Sequence, residues 1–317
     1  MATDVRVAWW NLENLFDSVN APRDPDLAAT LGNELNGWTT LVRDRKISQL
    51  ASIIELMFAG AGPDLLGVCE VENERVLQML VDEIDSADRN YQLLGHASPD
   101  ARGIDVGFIF DNNVLTPSNP DHQVVIKRRS TRDLFWATWT VDVEQESFVA
   151  MGNHWPSRSG GRFGSEPFRM LTAETAAYVV SRMPADTPVL LMGDFNDQPF
   201  DRSVQDYLLG GNDRGRVMRA RNVRFLNLMW PAMADPNPGT YRFGSDWNML
   251  DQFLANRPLL RATDPVRVLP ATTSIFRPPA LEGTGGAPRR FSRPSQSRFD
   301  TDGFSDHFPI VVLVRAG

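Results

Sequence analysis

The sequence predicts an α/β protein in which two sheets pack face to face, with helices covering the outside, built as one domain over residues 1–317. Helical periodicities alternate with apolar strand-like runs, but strands also follow one another directly. That order excludes the clean βαβ alternation of a doubly wound parallel sheet. Polar segments suited to chemistry run from Asn11 to His307, so a shared site needs both ends of the chain in one core. Neither an internal repeat nor a heptad pattern competes with this reading.

The elements follow in order. Val5 to Trp10 is a strand. Ile47, Leu50, Ile53, Ile54, Met57 and Phe58 recur with helical spacing and predict an amphipathic helix over about 44–59, ended by Gly60 to Pro63. Leu65 to Cys69 is a short buried strand, and 72–86 is helical with Val76, Leu77, Leu80, Val81 and Ile84 inward. Strands follow at about 104–110, 123–127, 134–143 and 147–153. The run Trp136-Ala137-Thr138-Trp139-Thr140-Val141 mixes aromatic and β-branched residues as sheets prefer. A helix at 166–182 precedes strands at 189–192, 250–255 and 309–314. Residues 18–40 read as loop, and 261–303, rich in Pro, Gly, Arg and Ser, as a long loop in which only Val266 to Leu269 resembles a strand.

Composition narrows the function classes. Hydrophobic content of 42% and charged content of 23% are those of a soluble globular protein. The single cysteine, Cys69, cannot form an internal disulfide. With neither a signal-peptide pattern nor an apolar run long enough to span a bilayer, a cytoplasmic location without membrane insertion is expected. A net charge of −8 argues against broad wrapping of nucleic acid, though not against a local groove. The 32 basic residues include only two lysines, Lys46 and Lys127, so an isolated arginine is weak evidence for phosphate binding.

Five short segments carry the chemistry, each at one end of a strand. In Gly193-Asp194-Phe195-Asn196-Asp197, Asp194 and Asn196 face the same side of an extended chain, where a carboxylate beside an amide can orient a water and accept its proton. A strand-end turn rich in Asp and Asn is the plainer alternative. Ser305-Asp306-His307-Phe308-Pro309 offers a carboxylate for a metal and a donor for a phosphate oxygen, or else a capped turn. Val68-Cys69-Glu70 sets a carboxylate directly after a buried strand, and hard cations such as Mg²⁺ take oxygen ligands, usually one or two carboxylates. Trp10-Asn11-Leu12-Glu13 repeats the two-residue spacing, with Asn11 suited to a metal or a phosphate. Gly152-Asn153-His154-Trp155 supplies a second histidine, whereas His96 and His122 sit in unpatterned surroundings. Asp251 interrupts the apolar run Met249 to Leu254 and needs a partner such as an imidazolium, unless it marks the exposed start of the strand.

Together these segments resemble the endonuclease/exonuclease/phosphatase superfamily, over essentially the whole chain. The resemblance implies a four-layer α/β/β/α sandwich of two mixed sheets flanked by helices, with the site at one edge. It implies that Asn11, Glu70 and Asp306 hold a divalent ion, Mg²⁺ with Mn²⁺ as substitute. Asp194 matches the residue that orients or deprotonates the attacking water, with Asn196 beside it. His307 matches the histidine on the scissile phosphate, and Asp251 the partner that polarises it. His154, in Asn-His-Trp-Pro-Ser-Arg, matches the second histidine of the deoxyribonuclease and sphingomyelinase branches. Abasic-site endonucleases usually carry a tyrosine near there, which places the chain outside that branch. Arg102, in Arg-Gly-Ile-Asp-Val, is a candidate phosphate contact.

The expected activity is metal-dependent phosphodiester hydrolysis, with DNA or RNA first among substrates and a small phosphodiester also accepted. Its rivals are a phosphatase or phospholipase acting on inositol phosphates or sphingomyelin, and an inactive binding relative. The lipid reading is disfavoured because no exposed aromatic hairpin stands out. The binding relative is disfavoured because every matched position holds a competent residue. No protein partner is inferable. The segment 214–224, with five arginines and no acid, lies between two motifs; as a loop it would overhang the site and help hold a polyanionic substrate, or else it is a solvated surface loop in an arginine-biased chain.

Overall fold

A computed structural model describes residues 2–85, 88–293 and 298–317. Along the chain run β1 (Thr3–Leu15), α1 (Pro25–Leu31), α2 (Thr40–Gly60), β2 (Leu65–Val71), α3 (Glu74–Glu83), β3 (Tyr91–Gly95), β4 (Asp105–Asp111), β5 (Leu115–Gln123), β6 (Leu134–Val141) and β7 (Glu146–His154). Then come α4 (Arg162–Arg182), β8 (Val189–Asp194), β9 (Gly210–Gly211), α5 (Arg214–Arg219), β10 (Phe225–Asn227), β11 (Tyr241–Phe243), β12 (Asp246–Asn248) and β13 (Asp251–Asn256). Last are α6 (Arg257–Leu260), β14 (Val266–Ile275), β15 (Ser292–Arg293), β16 (Arg298–Phe299) and β17 (Ile310–Ala316).

The first sheet has the order β14-β17-β1-β2-β4-β3 and the second β5-β6-β7-β8-β13-β10-β9. Both are mixed: β1 pairs parallel with β2 and β7 parallel with β8, while their other pairings near the site are antiparallel. Parallel neighbours need long crossovers, and α2 and α4 supply them.

Period-2 alternation sorts β1 between two cores. Val5, Val7 and Trp9 enter the layer between the sheets with Phe108, Trp139, Met192 and Phe253. Ala8, Trp10 and Leu12 pack outward with Leu50, Ile54 and Leu80 of α2 and α3. On the other side, Ala173, Ala176 and Val180 of α4 cover Val189 and Leu191 of β8. The layers are therefore helix, sheet, sheet, helix. Gly67 allows the sheets to close, because a Cβ there would lie 2.6 Å from the Trp9 ring and 2.7 Å from Met192 Sδ.

Three expectations are corrected. The strand expected at 123–127 is β5, which ends at Gln123; its Pro117 and Pro120 hide it in the sequence and are tolerated because it is an edge strand. β14 runs on past Leu269 through Pro270 to Ile275, across a register shift between Leu269 and Ser274, again at a sheet edge, so the strand within 261–303 is longer than expected. Within 18–40, α1 and a 3₁₀ turn place Leu31, Leu35 and Trp38 in a small core with Phe16, Ile104 and Phe291. The helix expected over 72–86 ends at Glu83, and residue 86 lies outside the described residues. Among the described residues no helix is long and apolar enough to cross a membrane.

Candidate active site

Three neighbouring strands of the second sheet end at one level: His154 of β7 is the register partner of Asp194 of β8, and Asp194 that of Asp251 of β13. Across the layer, β1 and β2 bring Asn11 and Glu70, while the turn before β17 brings Asp306 and His307. Gly193 makes the approach of β7 and β8 possible, since a Cβ there would lie 2.4 Å from the Asn153 carbonyl oxygen. Four site residues, Glu13, Asn14, Glu70 and Asn196, adopt positive φ of 51°, 53°, 62° and 49°. Such strain persists only where the surroundings over-determine it.

The hydrogen bonds converge on two carboxylates. His307 Nδ1 donates to Asp251 Oδ2 at 2.7 Å, and Trp9 Nε1 donates to Asp251 Oδ1 at 3.1 Å. Asn11 Nδ2 donates to Asp194 Oδ2 at 3.1 Å, and the Asn196 backbone N–H donates to Asp194 Oδ1 at 2.9 Å. His307 Nε2 and His154 Nε2 lie 4.0 and 3.8 Å from that same Asp194 Oδ2. Asn196 lines the same cleft and donates from Nδ2 to the Trp155 carbonyl, which steadies the Asp194 turn.

Electrostatics set the two imidazoles apart. Burial alone would lower the His307 pKa, but Asp251, with Asp194 and Asp306 behind it, raises it to about 10. His307 is thus an imidazolium at neutral pH. The His154 pKa is pushed well below the usual value by burial, helped by Arg132, Arg102 and His307. Its carboxylate neighbours, Glu70 and Asp194, stand 3.7 and 3.8 Å away, too far to hydrogen-bond, so burial wins. Burial raises the Asp194 pKa to about 6 against the pull of His307. Burial also raises the Cys69 pKa well above its usual value, which fits an inert thiol.

The oxygens of Asn11, Glu70 and Asp306 suit a hard divalent cation. Glu70 Oε2 accepts from the Asn14 N–H at 2.8 Å, and among the described residues Oε1 accepts no hydrogen bond, His154 Nε2 standing 3.7 Å away. Asp306 pairs with Arg290 at 3.0 Å. Arg290 Nε and the Phe291 and Ser292 N–H groups donate to the buried Glu13 carboxylate.

Arg102 donates to Asn14 Oδ1 and Glu34, and lines the same cleft as Glu70, His154, Asp194 and His307. The cleft has a volume of about 1230 Å³. Several functional neighbours were not anticipated from sequence. Arg132 holds the His154 and Trp155 carbonyls, Arg158 holds Asn196 and Asp197, and Arg290 joins Glu13 to Asp306. In a chain so biased to arginine, none stands out by residue type. The β11–β12 hairpin also corrects the expectation that no exposed aromatic hairpin stands out: Phe243 is 72% exposed at the cleft, and the Tyr241 ring lies 4.9 Å from that of His307, tilted by 36°. The arginine-rich segment 214–224 is not an overhanging loop. It begins with α5 and packs against the far end of β13, where Arg214 reaches the Leu260 carbonyl and Arg257 the Ala220 carbonyl.

The Endonuclease/Exonuclease/phosphatase family profile matches residues 6–316. The chain belongs to that family. Family members are hydrolases of phosphoester bonds that generally use divalent metals. Solved family structures cover nearly all of the chain. A Bacteroides thetaiotaomicron family protein shares 12% identity at a TM-score of 0.61, covering 100% of this chain and 99% of its own. D. rerio TDP2 complexed with single-strand DNA product shares 15% at 0.60, covering 98% and 99%. A mannosyl-6-phosphatase of Bacteroides thetaiotaomicron shares 12% at 0.59, covering 98% and 99%. At these identities the likeness shows the fold. No curated protein sequence matches the chain.

Proposed function

We propose that this family member is a divalent-metal-dependent phosphodiesterase acting as one domain, with nucleic acid its first substrate. The observation that carries the reading is the Asp251–His307–Asp194 line, in which a buried imidazolium stands 4.0 Å from a carboxylate of pKa about 6. That pair supplies a fixed positive donor and a base side by side at one reacting phosphate.

Asp194, steered by Asn11 and Asn196, accepts the proton of the attacking water. His307 Nε2 donates to a non-bridging oxygen as charge builds, with Asp251 fixing the ring. Neutral His154 donates a hydrogen bond to the same phosphate. Glu70, Asn11 and Asp306 would hold Mg²⁺ or Mn²⁺, which supplies charge neutralisation at the phosphate and leaving oxygen. Arg102 contacts a flanking phosphate, and the exposed Phe243 ring offers a stacking face to a base. Support for a polymeric substrate comes from the cleft's size and from the TDP2 structure holding single-strand DNA. The mannosyl-6-phosphatase keeps a phosphomonoester reading open.

A panel of plasmid DNA, single-stranded DNA, RNA, sphingomyelin, inositol phosphates and bis(p-nitrophenyl) phosphate, with Mg²⁺ or Mn²⁺, tests the proposal. Nucleic acid and the small diester should turn over. Release of inorganic phosphate from monoesters alone would replace the diesterase reading with a phosphatase.

A further inference from the structure

We infer that His96, His122 and Asp133 form a second metal site, of transition-metal type, that clips the two sheets together at their open edge. His96 follows β3, the edge strand of the first sheet. His122 lies in β5, the edge strand of the second, and Asp133 directly precedes its neighbour β6. Fold topology thus brings together residues that the sequence leaves unpatterned. Their ligand atoms all lie within 4.8 Å of one another.

One observation points to a ligand here rather than a chance cluster. Asp133 is 3% exposed, and its Oδ1 is buried without a hydrogen-bond partner, while Oδ2 takes the His96 Nε2 contact at 2.8 Å. An orphaned buried carboxylate oxygen is costly, and a cation satisfies it. The two imidazoles also stack, with centroids 4.1 Å apart at 29°, and the His96 ring is backed by Phe135 at 5.3 Å. A register shift between Ser118 and Asp121 in β5 re-aims the strand just before His122.

Two nitrogens and one carboxylate suit Zn²⁺, with bonds of about 2.0–2.2 Å and a fourth position left to water on the exposed His122 side. Ligands on one tetrahedral ion sit about 3.3–3.5 Å apart, so the His96–Asp133 contact must open by roughly half an ångström as the shared proton leaves. The site differs in kind from the oxygen set of Glu70, Asn11 and Asp306, which selects a hard ion. Because Arg132, next to Asp133, holds the His154 turn, the clip steadies the wall of the catalytic cleft without touching substrate.

The test is metal titration of the intact chain in excess Mg²⁺, read by bound Zn²⁺ per chain, by the visible absorption of Co²⁺ and by Tm. Native protein should bind one Zn²⁺, give the absorption of a nitrogen-ligated Co²⁺ site and unfold at higher temperature with Zn²⁺. His122→Ala, at an exposed position, and Asp133→Asn should lose all three responses, whereas Glu70→Gln should keep them. Unchanged Zn²⁺ binding in His122→Ala, loss of the Co²⁺ spectrum in Glu70→Gln, or binding with no rise in Tm would each overturn the clip.

Discussion

Asp194 and Asp251 face each other across the β8–β13 pair, two buried carboxylates at one register position. Like charges so placed repel. His307, 2.7 Å from one and 4.0 Å from the other, is the cation that offsets them, and Trp9 adds a neutral donor. Removing the imidazole therefore has two effects. His307→Ala should cut kcat by about 10²–10³ and lower stability by about 3–5 kcal/mol, because an uncompensated buried charge remains. Asp251→Asn should give a milder loss of kcat. A defect confined to metal affinity in Asp251→Asn would separate this residue from His307. Diester turnover and chemical denaturation measure the two effects independently.

Glu70→Gln keeps the acceptor for the Asn14 N–H but removes a charge. It should raise the Mg²⁺ concentration needed for half-maximal turnover and lower kcat with little change in Tm. Full turnover by the native chain in excess chelator would contradict the metal requirement.

Glu13 acts on stability. Its carboxylate holds the Arg290 side chain and two backbone N–H groups, while its carbonyl accepts from buried Lys46. Burial pushes the Glu13 pKa up to about 7 and that of Lys46 down to about 8. Glu13→Ala should cost about 3–5 kcal/mol, read from the denaturation midpoint at constant m, and release Arg290 from its position beside Asp306.

Asp105 makes stability depend on pH. Burial raises its pKa to about 6 despite the Ser98 hydrogen bonds. The folded state therefore holds a proton that the unfolded state has released between about pH 4 and 6. This contribution is present below that window and is lost as pH rises through it. The stability of the native chain relative to Asp105→Asn should fall by up to about 3 kcal/mol from pH 4 to pH 7. A flat difference would show that Ser98 compensates burial fully.

Replacing Arg216, Arg219 and Arg221 with alanine should leave both small-diester turnover and the salt slope of DNA binding unchanged, since the segment packs at the far end of β13. A flatter slope would mean that nucleic acid reaches round to that face.

Local pattern made the cores of both sheets readable: the alternation in β1 and the helical spacing in α2 point their apolar residues where the structure buries them. The same pattern could not show β5 or the full length of β14, because prolines at sheet edges mimic strand ends. Asp251 was legible as a buried charge in want of a partner, and His307 fills that place. Arg290 was not, because its role depends on a loop that folds back from nearly 280 positions away to meet Glu13. His96 and His122 were set aside for the same reason: only the approach of two sheet edges makes them neighbours.

The order of strands bears on how this molecule comes into being. Of the seventeen strands among the described residues, β17 is the last to be synthesised, yet it lies inside the first sheet between β14 and β1. Until it arrives, β1 presents an open flank to any passing strand. Asp306 and His307 ride in on the turn just before it, so the ribosome holds a chain whose other site residues wait for their cation. One segment thus completes both the β17–β1 pairing and the cluster of site side chains.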